Sequence, residues 1–133
     1  MYQRDGGEAA ARRKARKERD DASPRLRAVV PAIVSLDLEI DVSRDGTVMQ
    51  ALRHVKRCPV EHAPAVFVID CTDRECRDGG HDLTEEMLSQ LRAGRERFHL
   101  EQRCPGRTSA RDCGRVATVR AVATYARAPR RAR

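Results

Sequence analysis

Leu36, Leu38, Ile40 and Val42 alternate with Asp37, Glu39 and Asp41. A period of two places every second side chain on one face, so this stretch predicts a strand with one buried and one wet side. Upstream, Leu26 to Val34 is apolar but interrupted by Pro31, which leaves an extended lead-in or another strand open. Asp45-Gly46 predicts a turn. Val48, Met49, Leu52 and Val55 have roughly helical spacing, and residues 47–63 read either as a short helix or as an irregular crossover.

The strongest apolar run is Ala65-Val66-Phe67-Val68-Ile69, followed by Asp70 and Cys71. Four large apolar residues in succession predict a central strand covered on both faces. Asp78-Gly79-Gly80 marks the next turn. Leu83, Met87, Leu88 and Leu91 then recur at helical spacing, which predicts a helix from about Leu83 to Ala93. Asp82 and Glu85 have the spacing of a capping box at its start, and Gly94 supplies a C-cap. Phe98 and Leu100 alternate with His99 and Glu101, a third strand that stops at Cys104-Pro105-Gly106. From Val116 to Tyr125 a last strand carries Val119, Ala121, Ala123 and Tyr125 on one face. Its other face carries Val116, Thr118, Arg120, Val122 and Thr124, and Val/Thr enrichment favours strand over helix.

These elements predict an α+β fold: a small mixed sheet of four strands, one main helix, and a metal knot at one edge. The helix between the second and third strands implies a parallel β-α-β unit. Residues 26–126 read as a single domain. Residues 1–25 form a basic tail, disordered or nascently helical, and residues 127–133 a basic C-terminal tail.

Composition makes a metal useful. The aromatic residues are Tyr2, Phe67, Phe98 and Tyr125, with no Trp. The core is therefore aliphatic, and a crosslink would supplement it. Charge is unevenly spread within the formal net of +7. Residues 1–25 carry eight basic against five acidic side chains, residues 127–133 four Arg and no acid, and residues 26–126 fifteen of each. Positive charge confined to the ends makes Arg12, Arg13, Lys14, Arg16, Lys17, Arg130, Arg131 and Arg133 candidate contacts to nucleic acid or an acidic protein surface.

Cys71, Cys76, Cys104 and Cys113 carry the chemistry. In a parallel β-α-β unit, Cys71 and Cys104 end their strands on one edge, and Cys76 and Cys113 sit in loops leaving that edge. Four thiolates are the usual ligand set of a structural Zn²⁺. An iron–sulfur centre, disulfides, a redox switch and free buried thiols are the competing readings. No apolar leader follows Met1 and no run is long enough to span a membrane, so the reading is a cytoplasmic protein, where disulfides are disfavoured. Arg74, Arg77, Arg103, Arg107, Arg111 and Arg115 flank the cysteines and would offset thiolate charge. Cys58 is a spare thiol that could replace a weaker ligand, most plainly Cys113.

His81, beside Gly79-Gly80 at the helix start, reads as a packed ring bonded to Asp82, as a ligand in a mixed site, or as a general base. His54, His62 and His99 show no partner pattern. No HExxH, P-loop, Rossmann glycine or Cys-x-x-Cys motif is present. The expected function is a zinc-stabilised, non-catalytic binding module. A thiol- or histidine-based enzyme or redox sensor at Cys76, His81 and Cys113 is the alternative. An adaptor or subunit using the face of Val116, Thr118 and Val122 is the third reading.

Overall fold

The computed structural model describes residues 3–44, 47–50, 56–71, 73, 75–109 and 111–127. Among them, three helices, α1 (Gln3–Ala22), α2 (Leu26–Val29) and α3 (Thr84–Arg92), are combined with nine strands. The strands are β1 (Ile33–Arg44), β2 (Thr47–Gln50), β3 (Lys56–Cys58), β4 (Val68–Ile69), β5 (His81–Asp82), β6 (Arg97–Arg103), β7 (Arg107–Thr108), β8 (Arg111–Asp112) and β9 (Val116–Tyr125).

The main sheet has the order β2-β1-β9-β6, and β3 also pairs with β1. β1 and β9 form its spine, with Leu36 opposite Ala123, Leu38 opposite Ala121 and Ile40 opposite Val119. The alternation seen along the chain settles which face is buried. Leu36, Leu38 and Val42 on β1 and Ala117, Val119, Ala121 and Ala123 on β9 all point inward. Glu39 and Arg120 face outward as a cross-strand pair at 4.0 Å. Ser35 and Thr124 join hydroxyls across the same face at 2.5 Å.

α3 covers the inner face with Met87 and Leu91, joined by Leu83, all about 1% exposed. Gly94, at φ +72°, follows its last turn. Its start differs from a capping box. The Asp82 carboxylate accepts the Thr84 N–H at 3.0 Å, and the Leu83 N-cap position has no side-chain cap. Thr84 is engaged elsewhere: its hydroxyl accepts the Phe67 N–H at 2.9 Å.

Several expectations are corrected. The sheet is not mixed: every named pairing among the described residues is antiparallel. The run at 65–71 is not a central strand. Only Val68–Ile69 is extended with a partner, and that partner is β5, outside the main sheet. The described residues therefore contain no parallel β-α-β unit. The physical reason is that an apolar run demands burial, not a central place in a sheet: Phe67 and Ile69 satisfy it by packing against the core from above. Leu26–Val29 is a short helix rather than extended chain, and the described part of 47–63 holds β2 and β3, while Leu52 and Val55 of the expected helical spacing lie outside the described residues. The Asp45-Gly46 turn lies outside the described residues.

Where the sequence reads as a disordered tail or nascent helix, residues 3–22 are helical, so α3 is not the one main helix. Ala, Arg, Lys and Glu favour this, and tertiary contacts supply what a lone helix lacks. Arg16 pairs with Asp70 across the fold, and locally the Ser23 hydroxyl bonds the Arg19 carbonyl at 2.7 Å at the helix end. At Pro24 the chain joins the domain: the Ala65 N–H donates to the Pro24 carbonyl and the Leu26 N–H to the Ala63 carbonyl, both at 2.8 Å.

Candidate metal centre

Two loops face each other. The first, 71–80, leaves β4 and carries Cys71 and Cys76. The second, 104–115, leaves β6 and carries Cys104 and Cys113. Backbone bonds clamp them together. Arg77 and Arg107 exchange N–H···O bonds at 2.8 and 3.0 Å. Within the second loop, the Cys104 N–H reaches the Arg115 carbonyl at 2.8 Å and the Cys113 N–H the Gly106 carbonyl at 2.9 Å. The small β7–β8 hairpin projects from this clamp.

All four sulfurs lie within 4.8 Å of one another. Cys71 and Cys113 are 3.6 Å apart, as are Cys76 and Cys104. A tetrahedral Zn²⁺ with bonds of about 2.3 Å would set sulfur–sulfur edges of about 3.8 Å. A disulfide needs about 2.05 Å. The donor set and its spacing thus fit a single tetrahedral ion, and the cluster is able to chelate a metal. The structure brings together the four cysteines that the sequence singled out, although antiparallel strands and loops assemble them rather than parallel strand ends.

The backbone is shaped around the sulfurs. Gly80 and Gly106 N–H groups point at Cys104 Sγ, at 3.3 and 3.4 Å, and the Asp73 N–H points at Cys71 Sγ at 3.4 Å. Gly79 and Gly106 pack directly against the cluster: a Cβ on either would fall 2.3 Å from Cys76 Sγ. From the sequence, both glycines read only as turn formers. Their spacing, two residues after Cys104 and three after Cys76, is the signal that could have identified them as walls of the site.

The thiols do not titrate alike. Burial, with smaller contributions from neighbouring thiols, pushes Cys71 up to about 11. Burial and the three other cysteines push Cys76 up as well. Cys104 goes down. Its burial acts upward, but the Gly80 and Gly106 N–H groups and the thiols of Cys76 and Cys71 outweigh it. Burial thus disfavours the ionised form at Cys71 and Cys76, while the two backbone N–H groups favour it at Cys104. Arg115 lines the site at 12% side-chain exposure and stands 4.0 Å from Asp73. Arg77, Arg103, Arg107 and Arg111 are exposed, and Arg107 pairs with Asp112 at 3.7 Å. Arg74 lies outside the described residues.

His81 stays apart from the thiol group. Its ring is fully buried, and Nδ1 lies 2.9 Å from the Gln102 carbonyl oxygen, so Nδ1 carries the proton of that bond. Its partner is Gln102 rather than Asp82. Nε2 is buried without a hydrogen-bond partner among the described residues. Burial lowers the pKa of the ring. Cys58 is also separate: it lies on β3 opposite Leu36 and is not a spare ligand.

Of the basic candidates, Arg12, Arg13, Lys14 and Lys17 are exposed on α1, and Arg16 is exposed while paired with Asp70. Arg130, Arg131 and Arg133 lie outside the described residues. Among the described residues, no helix is long and apolar enough to cross a membrane. No protein-family model, curated protein or solved structure matches this chain.

Proposed function

We propose that the protein is a small, non-catalytic binding module in which Cys71, Cys76, Cys104 and Cys113 hold a structural zinc ion and basic side chains engage nucleic acid. The observation that carries this reading is the pairing of a four-thiol cluster with an exposed basic stretch, Arg12 to Lys17, on α1. Zinc supplies a crosslink between two loops that have little apolar content of their own. Four protein ligands leave no open coordination position of the kind a catalytic zinc uses. An iron–sulfur centre on the same four thiols is the competing reading, and metal analysis separates the two.

Arg12, Arg13, Lys14 and Lys17 then contact phosphates, with Arg16 exchanging Asp70 for a phosphate, and Arg130, Arg131 and Arg133 add contacts from the C-terminal tail. The domain between the tails is neutral, and the described residues offer no exposed aromatic platform for base stacking. Recognition therefore rests on backbone charge rather than base identity.

Native mass spectrometry with elemental analysis of the full chain tests the metal: one zinc per chain is expected, and a metal-free or iron-containing folded protein rejects it. Titration with a labelled oligonucleotide at several salt concentrations tests the partner. Affinity that falls steeply with salt is expected. A flat response, or a preference for an acidic protein over DNA of equal charge, rejects nucleic acid.

A further inference from the structure

β6 ends the main sheet and, among the described residues, pairs on one side alone, with β9. Antiparallel neighbours alternate between residues that exchange both backbone bonds and residues that exchange none. On β6 the bonded positions are the even-numbered ones. The Ala123 N–H donates to the Glu96 carbonyl just before the strand, and the Cys104 N–H to the Arg115 carbonyl just after it, both at 2.8 Å. The N–H and C=O groups of Arg97, His99, Glu101 and Arg103 therefore point away from β9. They have no backbone partner among the described residues, and all four residues are exposed. Such an unpaired edge is a template for another strand.

The side chains along the edge decide which strand fits. Arg97, His99, Glu101 and Arg103 share the outer face, while Phe98 and Leu100 turn inward and pack against the core. Charges on an edge deter indiscriminate pairing, but they admit a strand whose charges run in complementary order.

β6 is complementary to itself. Laid antiparallel across a two-fold axis at His99, each Arg97 faces the partner's Glu101 and each Phe98 the partner's Leu100. The outward backbone groups of Arg97, His99 and Glu101 then meet those of the partner's Glu101, His99 and Arg97. An axis at Leu100 would also satisfy the backbone, but it sets Arg97 against the partner's Arg103 and Phe98 against the partner's Gln102. An axis at Glu101 opposes the two glutamates. Opposite charges and apolar pairs directly across strands stabilise a sheet, and like charges there destabilise it. The outer and inner faces thus select the same register.

We propose that the protein forms a homodimer through β6, the two main sheets joining edge to edge into one antiparallel sheet in the register centred on His99. The contact is isologous and closes at two copies. It uses none of the side chains assigned to zinc or to nucleic acid, so those readings and this one can fail separately.

Sedimentation equilibrium of the full chain as purified, at concentrations up to about 1 mM, tests the dimer. A monomer–dimer equilibrium is expected. Arg97→Glu and Glu101→Arg should each weaken it about tenfold or more, because each sets like charges opposite one another at both ends of the contact. An equimolar mixture of the two variants should dimerise as the wild type does, since each chain carries the charge that the other lacks. Both positions are exposed and outside the β9 hydrogen bonds, and unchanged thermal melts would verify that the variants fold. Hydrogen exchange gives a readout without substitution: the amides of Arg97, His99 and Glu101 should gain protection as concentration rises, and those of Phe98 and Leu100, already bonded to β9, should not. A chain that stays monomeric throughout overturns the proposal. So does a dimer indifferent to both single variants, a mixture of the two that stays monomeric, or protection gained only outside β6.

Discussion

The sulfurs of Cys71 and Cys113 lie 3.6 Å apart although 42 positions separate them in the chain. Cys76 and Cys104, 28 positions apart, stand at the same distance. Each pair joins the loop after β4 to the loop after β6. One ion bound to all four would therefore tie the same two loops twice and restrain them against both separation and rotation.

That double tie makes Cys104 the most consequential ligand, since it is 2% exposed and accepts two backbone N–H bonds. Cys104→Ser should abolish stoichiometric zinc and lower the melting temperature by more than about 10 °C. This follows from a metal contribution of several kcal/mol and about 4–8 °C per kcal/mol for a domain of this size. Hydrogen-exchange protection should vanish from 71–80 and 104–115 first. A circular-dichroism melt identical to wild type would show that the cluster does not stabilise the fold.

Gly106 has backbone on one side and sulfur on the other. An added Cβ would sit 2.3 Å from Cys76 Sγ and 2.7 Å from the Arg77 carbonyl oxygen, and the backbone oxygen cannot swing away. Gly106→Ala should weaken zinc about 10–100-fold, the usual scale for groups that support ligands. Competition with a chromophoric chelator measures it. Gly7→Ala, with nothing within 4 Å of the added carbon, is the control: zinc affinity unchanged and α1 stabilised by up to about 1 kcal/mol.

His81 should remain neutral in the folded protein below the usual histidine range, because burial disfavours the imidazolium. Above about pH 6.5 both folded and unfolded rings are neutral, and the residue adds no pH dependence. As pH falls through that value, the unfolded ring takes up a proton that the folded ring refuses, so stability declines toward the folded pKa. Ring carbon and nitrogen shifts should report the Nδ1–H tautomer through about pH 6.5. A titration midpoint at or above that value would contradict this account.

Lys14 and Lys17 are exposed on α1. If both contact phosphates, replacing them together with Ala should lower the salt slope of oligonucleotide binding by about 2, one for each lysine. The thermal melt of the domain should be unaffected. An unchanged slope would place the phosphate-binding side chains elsewhere.

Much of this architecture is legible in the chain because local patterns have local causes. Alternation along Leu36–Val42 and Val116–Tyr125 identifies strands and their buried faces. The 3.6-residue recurrence of Leu83, Met87 and Leu91 identifies α3. The run Val66–Ile69 misleads, since continuous apolar residues have no period and state only that they must be buried. The helicity of α1 is also underdetermined by sequence, because it draws on the Arg16–Asp70 pair, 54 positions apart.

The order of residues by itself determined β1, β6, β9, α3, the aliphatic core and the identity of the four thiols, because each depends on side-chain type at short spacing. The tertiary structure alone decided that the sheet is antiparallel, that Gly79 and Gly106 wall the cluster, and that His81 turns to Gln102. It alone also revealed a cleft lined in part by Arg16, Arg19 and Asp20 of α1. These depend on where distant segments meet, and no period along a chain records the distance between positions 71 and 113.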